Sequence, residues 1–219
     1  MSEIKKLYFN DEYKQTHNVI DGRKTQMRKP LSKVASKALD ALKRKLSLDC
    51  DSGEIMVPDF FIEKYSPFHV GEVYAVAQPL EVIWRQECAI GKNMRQRTTT
   101  SGLVEGARKM QESKGWKNKM FAPADLMRYK VEITNVRVKY LSHVTEEDAK
   151  AEGCLPLAEV FKGANCTGWW HDGFSLNTCQ THGETFEALY RAIHGNKEWE
   201  ADPICWVVDF KLLDRKSVV

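Results

Sequence analysis

Residues 22–30, Gly-Arg-Lys-Thr-Gln-Met-Arg-Lys-Pro, place five Arg, Lys or Thr side chains in nine positions. Ammonium, guanidinium and hydroxyl groups are donors for a phosphate or a polarised carbonyl oxygen. Lys24 is the candidate base of this stretch, because Arg23 and Arg28 beside it disfavour its protonated form. Kept protonated, the same Lys24 suits contact with a phosphate or a base carbonyl, together with Arg23, Arg28 and Lys29. Gly22 fits the left-handed turn that ends a helix, and Pro30 cannot continue an inner strand. The stretch therefore reads as a basic loop or short edge strand that follows a helix.

Two other groupings have chemical potential. Cys166, His171, Cys179 and His182 offer two sulfur and two nitrogen ligands to zinc. Their gaps of four, seven and two residues match no common finger spacing, so the expectation is unrelated loop residues and no metal. Trp84, Trp169 and Trp170 have the surface to stack on bases, and equally to bury a loop against a core. Basic charge is concentrated in two stretches. Residues 21–45 carry nine Lys or Arg against two Asp, and residues 84–119 carry nine against three Glu. In a chain whose net charge is only +3, such clustering points to a polyanion partner.

The elements that must position these residues follow from periodicity. Asn10-Asp11 starts a helix with Tyr13, His17 and Ile20 on one face, which Gly22 stops. Ser32 caps a second, amphipathic helix with Ala35, Ala38, Leu39, Leu42 and Leu46 on its apolar side and Lys33, Lys37, Lys43 and Arg44 opposite. Residues 49–70 read as irregular, apart from a strand near Ile55 to Val57. Gly71 opens a strand through Val76, and residues 84–119 read as a polar, basic insertion with a helix over 102–113. Val131, Ile133, Val136, Val138 and Tyr140 alternate as a strand does, with a one-residue slip that predicts a bulge at Thr134-Asn135. Thr145 caps a short acidic helix closed by Gly153, and residues 155–183 read as a second insertion. Phe186, Leu189, Tyr190 and Ile193 form a helix stripe ending at Gly195. Trp206, Val208, Phe210 and Leu212 then alternate in a closing strand.

At 219 residues, with 42% hydrophobic and 29% charged residues, the chain is long enough for one sizeable core. The expectation is one domain over residues 1–219, an α+β fold of short strands with interleaved helices. No apolar signal core follows Met1 and no window is long and apolar enough for a membrane span, so the cytoplasm is the expected location. Cys50, Cys88, Cys154, Cys166, Cys179 and Cys205 are accordingly expected as thiols.

Read together, four stretches resemble the ASCH domain, the activating-signal-cointegrator homology family of the PUA-like superfold. They are the helix followed by Gly22-Arg23-Lys24-Thr25; Gly71-Glu72-Val73-Tyr74; Arg137-Val138-Lys139-Tyr140-Leu141 with Thr145-Glu146-Glu147-Asp148-Ala149-Lys150-Ala151-Glu152-Gly153; and Phe186 to Gly195 with Trp199, Pro203 and Trp206-Val207-Val208-Asp209-Phe210-Lys211. The last is similar to the ending of phage and prophage members. The resemblance implies a small mixed β-barrel with helices at its mouth and a cleft for RNA or a modified nucleobase. It also implies that Lys24 acts as a base with Glu152 assisting, as in members that deacylate N4-acetylcytidine, while other members are reported as ribonucleases. The nucleophile's position falls on Met27, a thioether that cannot attack a carbonyl, and Thr25 points away from Lys24 if the segment is extended.

The expected function is therefore binding of RNA or a modified nucleobase, with no cofactor. Arg23, Lys24, Arg28 and Lys29 would contact the ligand, and Lys24 and Glu152 would be the catalytic pair if the chain is a hydrolase. A phage protein-interaction module built on the two insertions is the third expectation.

Overall fold

A computed structural model describes residues 4–46, 53–91, 111–154 and 181–213. In chain order these form β1 (Lys5–Leu7), α1 (Gln15–Ile20), β2 (Gln26–Pro30), α2 (Lys33–Leu46), α3 (Asp59–Tyr65), β3 (Val73–Val76), α4 (Leu80–Gly91), a 3-10 turn (Ala124–Leu126), β4 (Lys130–Tyr140), α5 (Glu146–Ala151), α6 (His182–His194), α7 (Asn196–Glu200) and β5 (Ile204–Leu213). The five strands make one mixed sheet in the order β1-β3-β4-β5-β2. β1 runs parallel to β3, and β2 antiparallel to β5. The fold is α+β as expected, but the sheet is open where a small closed barrel was expected. β1 and β2, three and five residues long, end the strand order, and no ladder pairs one with the other among the described residues.

The chain divides into two compact units, Met1–Phe9 with Val73–Val131 and Leu213–Val219, and Asn10–Glu72 with Glu132–Leu212. In the first, Ala75, Ala77, Leu80, Ile83, Ala122 and Met127 form the core, flanked by Ile4, Trp116 and Ala124. Leu80 and Ile83 are three apart on α4, which puts both on the core side of that helix. The start of the expected insertion at 84–119 is therefore the continuation of a core helix, and most of the helix expected over 102–113 lies outside the described residues.

In the second unit, directly opposed residues of β2 and β5 share a face of the sheet. Gln26 opposes Asp209 and Arg28 opposes Val207 on one face; Met27 opposes Val208 and Lys29 opposes Trp206 on the other. The second face is aromatic, with Trp206 5.7 Å from Phe61 between ring centres. Phe61 belongs to α3, which a sequence reading of 49–70 as irregular misses. Pro58 at its N-cap and Asp59 in its first turn suit a helix start, and Ser66-Pro67 stops it within two turns. In place of the strand expected near Ile55, an isolated antiparallel bridge joins Glu54 to Lys139. β4 shows the expected slip: Val131 and Ile133 are buried, then Val136 and Val138, with Thr134 and Asn135 both exposed between them.

α2 holds its expected cap, the Ser32 hydroxyl accepting from the Ala35 amide at 3.2 Å, and it buries Ala35 and Leu39. α1 differs from expectation. It buries Thr16, Asn18 and Val19, whereas His17 is exposed. The polar pair is accommodated because Thr16 bonds to the Asp11 carboxylate and the Asn18 amide to the Gly153 carbonyl.

Candidate functional site

Lys24 leaves α1 through Gly22, whose φ of 73° is the left-handed conformation expected there. Its own amide donates to the Asn18 carbonyl at 2.9 Å, and the next amide, Thr25, donates to Ala151 at 2.8 Å. The entry to β2 is thus fastened both to α1 and to the end of α5. α5 in turn is set by Thr145, whose hydroxyl accepts from the Asp148 amide at 3.1 Å. Asp148 and Glu152 are four residues apart, so they project from the same side of this turn towards the sheet. Gly153 closes the turn at φ 83°, and a Cβ there would stand 3.1 Å from the Asn18 side chain and 3.2 Å from Lys24 Cβ. Its absence lets α1, β2 and α5 converge.

The result is a network of buried charge on one face of β4, β5 and β2. The Lys24 ammonium donates to the Glu152 carboxylate, and to the Glu152 carbonyl at 3.2 Å. Arg28 donates to Asp148 Oδ2 at 2.8 Å and lies 3.5 Å from Glu152 Oε1. Gln26 donates from Nε2 to Asp209 at 2.7 Å and Asp148 at 3.2 Å, and its Oε1 accepts from Arg28 at 3.1 Å. Arg137 grips both oxygens of Asp209, at 3.1 and 2.9 Å, and Lys139 reaches Asp148 at 3.3 Å and Glu54 at 3.6 Å. Four cations face four carboxylates. Exposure is graded across the network: Lys24 and Glu152 expose 3% and 5% of their side chains, Arg137 and Asp209 24% and 25%. Phe186 of α6 covers Arg28, its ring centre 5.3 Å from the guanidinium carbon.

Burial pushes the Asp148 carboxyl up, but the Arg28 charge, the Gln26 hydrogen bond and Lys139 outweigh it and hold it below its ordinary value. Burial pushes the Cys205 thiol up to about 12, with Arg28 lowering and Glu152 raising it, so this buried cysteine remains a neutral thiol. Burial, then Cys205, Glu198 and Glu152, raise the Tyr190 phenol likewise, and among the described residues its hydroxyl has no hydrogen-bond partner. Among the described residues Arg28 Nε, Arg137 Nε and Asn18 Oδ1 are also buried without a partner.

Of the residues singled out in the sequence, the structure joins Lys24, Arg28 and Glu152. Arg23 is exposed and paired with Asp21 at 2.5 Å, and Lys29 lies on the opposite face, its ammonium 5.5 Å from the Phe68 ring centre. Met27 is half-buried on that opposite face and Thr25 is exposed. His182 starts α6 with Nδ1 2.7 Å from the Cys154 carbonyl, while Cys166, His171, Cys179, Trp169 and Trp170 lie outside the described residues. Trp84 is half-buried on α4 of the first unit. Among the described residues no group of three or more His, Cys, Asp or Glu could hold a metal ion, and no helix is long and apolar enough to cross a membrane.

The sequence reading misses Gln26, Glu54, Arg137, Lys139, Asp148 and Asp209. Period-two spacing was the available signal for most of them: Lys24-Gln26-Arg28 on one extended segment, Arg137-Lys139 on another. Asp209, the one charge inside the run Trp206 to Phe210, was the third clue. No family model matches the chain, and no curated protein or solved structure does either.

Proposed function

We propose that this is an ASCH-type protein that binds RNA or a modified nucleobase over the polar face of β4, β5 and β2. One observation carries the reading: Lys24 and Glu152, 128 positions apart, meet as a buried ion pair, and they are the two residue types at the two positions that the resemblance pairs. Charge balance refines it. A face with four cations and four carboxylates has no net charge to attract a bare phosphate, but it is dense in fixed donors and acceptors, which suits the edge of a neutral base. Arg23 and Lys29 are the exposed cations of the basic stretch, Arg23 paired with Asp21 and Lys29 on the opposite face, so phosphate contact adds little at this face.

Binding is favoured over hydrolysis by what shares Lys24's side of β2. Gln26 and Arg28 do, and neither is a nucleophile; Thr25 and Met27 alternate away, and Cys205 is held as a thiol. The test is a panel of modified nucleosides and short RNAs, read by calorimetry and by chromatographic analysis of products on the same samples. Saturable binding without turnover is expected, weakened about tenfold or more in Gln26→Ala, which removes fixed hydrogen bonds but no charge. Fast deacetylation of N4-acetylcytidine by the wild type, lost in Lys24→Ala, would overturn binding in favour of an enzyme. Failure of every nucleoside and RNA to bind would remove the reading altogether.

A further inference from the structure

The first unit carries a different kind of surface. Leu7 and Phe9 are buried at 5% exposure each, and Tyr8 between them stands out at 48%. Ala122 is fully buried, whereas Met120 and Phe121 before it are exposed at 61% and 55%. Two lysines tie the two segments together: Lys119 donates to the Phe9 carbonyl, and Lys6 bonds in the other direction. The Lys6 ammonium donates to the carbonyls of Met120, at 2.7 Å, and Ala122, at 3.0 Å, and lies 5.7 Å from the Tyr8 ring centre. Tyr8's ring therefore stands beside one fixed ammonium, held by the carbonyls of the residues on either side of Phe121. A second, Lys114, lies 6.0 Å from the Phe121 ring centre, and Lys117 is exposed on the same segment. Among the described residues none of Lys6, Lys114 and Lys117 pairs with a carboxylate, and backbone carbonyls orient Lys6 without cancelling its charge.

We propose that Tyr8, Phe121 and Met120, with Lys6 and Lys114, form a docking surface for a single-stranded polynucleotide. Exposed rings offer faces on which unpaired bases stack, and an uncompensated ammonium beside each ring meets the phosphates that link those bases. A duplex hides its base faces and has nothing to offer the rings. Among the described residues no side chain of this surface is fixed by a hydrogen bond towards a sugar 2′-hydroxyl, so it is expected to take either sugar. This inference stands on the first unit alone and does not rest on the nucleobase reading of the second.

Fluorescence anisotropy of the full chain with labelled single-stranded RNA, single-stranded DNA and duplex of about 12 nucleotides tests it. Both single strands are expected to bind, each at least about tenfold more tightly than the duplex. Tyr8→Leu and Phe121→Leu keep apolar bulk while removing a stacking face, and each should weaken single-strand binding about tenfold with an unchanged urea midpoint. Unchanged affinity in the double variant, equal binding of the duplex, or a preference above about tenfold between the two sugars would each overturn the proposal. Calorimetry with nucleosides on the same variants separates this surface from the buried network. Loss of oligonucleotide binding in Gln26→Ala but not in Tyr8→Leu/Phe121→Leu would assign it to the network and overturn the proposal here.

Discussion

Lys24 and Lys6 are the same side chain in opposite circumstances. Lys24 is buried, paired with Glu152 and surrounded by a set of charges that sums to zero. Lys6 is held by two backbone carbonyls beside an exposed ring. The first arrangement costs much desolvation energy and is stable only while every charge has its partner. The second costs little, because its ammonium is only partly withdrawn from water, and it leaves a net field outside the protein. A basic stretch in a sequence is therefore two different things depending on where the acids are. The nine basic residues of 21–45 lose Lys24 and Arg28 to carboxylates that lie more than a hundred residues away, in Asp148 and Glu152.

The comparison breaks most visibly when one partner of the buried set is removed. Glu152→Gln leaves the Lys24 ammonium buried without its counter-charge and should cost about 3–5 kcal/mol in urea unfolding. The double variant Lys24→Met/Glu152→Leu removes both charges and should recover most of that loss. If Glu152→Gln costs no more than about 0.5 kcal/mol, a typical surface change, the pair is not buried in the way described. Lys114→Gln in the first unit should fall within that smaller range.

A smaller effect separates the carboxylates by pH. Asp148 is held below its ordinary value of 3.8 by Arg28, Gln26 and Lys139 against the opposing effect of burial, with Arg137 4.0 Å away. A lowered folded-state value means stability that is present above that ordinary value and is lost as pH falls through the folded one. The wild type should lose this contribution as pH falls below about 4, and Asp148→Asn should be flatter there while being about 1–3 kcal/mol less stable at neutral pH. His194, lowered chiefly by burial, gives a separate loss that sets in as pH falls below its ordinary 6.5. Parallel pH profiles for the variant and the wild type would show that Asp148 is not charged within the network.

Local signals explain how much of this was legible. Gly22, Ser32, Thr145 and Gly195 announce ends of helices through chemistry confined to a few residues, and each stands where that chemistry requires. Two apolar alternations announce β4 and β5, and the turn at Gly71 announces β3. What the residues could not announce is partnership at long range. Asp209 reads as a lone charge in an apolar strand until β2 is laid against it with Gln26 opposite. The resemblance puts the nucleophile's position at Met27, yet in an extended segment it is Gln26, two positions from Lys24, that shares the face of Lys24. Closure of the sheet was equally out of reach, since whether two edge strands meet depends on lengths that boundaries read from sequence do not fix.

The smallest expected effect concerns Lys117, and it sharpens the contrast because stability hardly registers it. This exposed side chain pairs with no carboxylate among the described residues, so Lys117→Ala should change the unfolding free energy by less than about 0.5 kcal/mol. If it meets a phosphate of a bound single strand, it releases about 0.7 of a counterion, and its loss should flatten the slope of log affinity against log salt by that amount. The network of the second unit predicts the reverse pattern. Buried pairs are screened little, so raising salt should leave the penalty of Glu152→Gln almost unchanged. Measuring both variants across the same salt series decides whether the two sets of cations differ as described. A Lys117→Ala slope equal to that of the wild type would place this lysine outside the docking surface, leaving Lys6 and Lys114 as its cations.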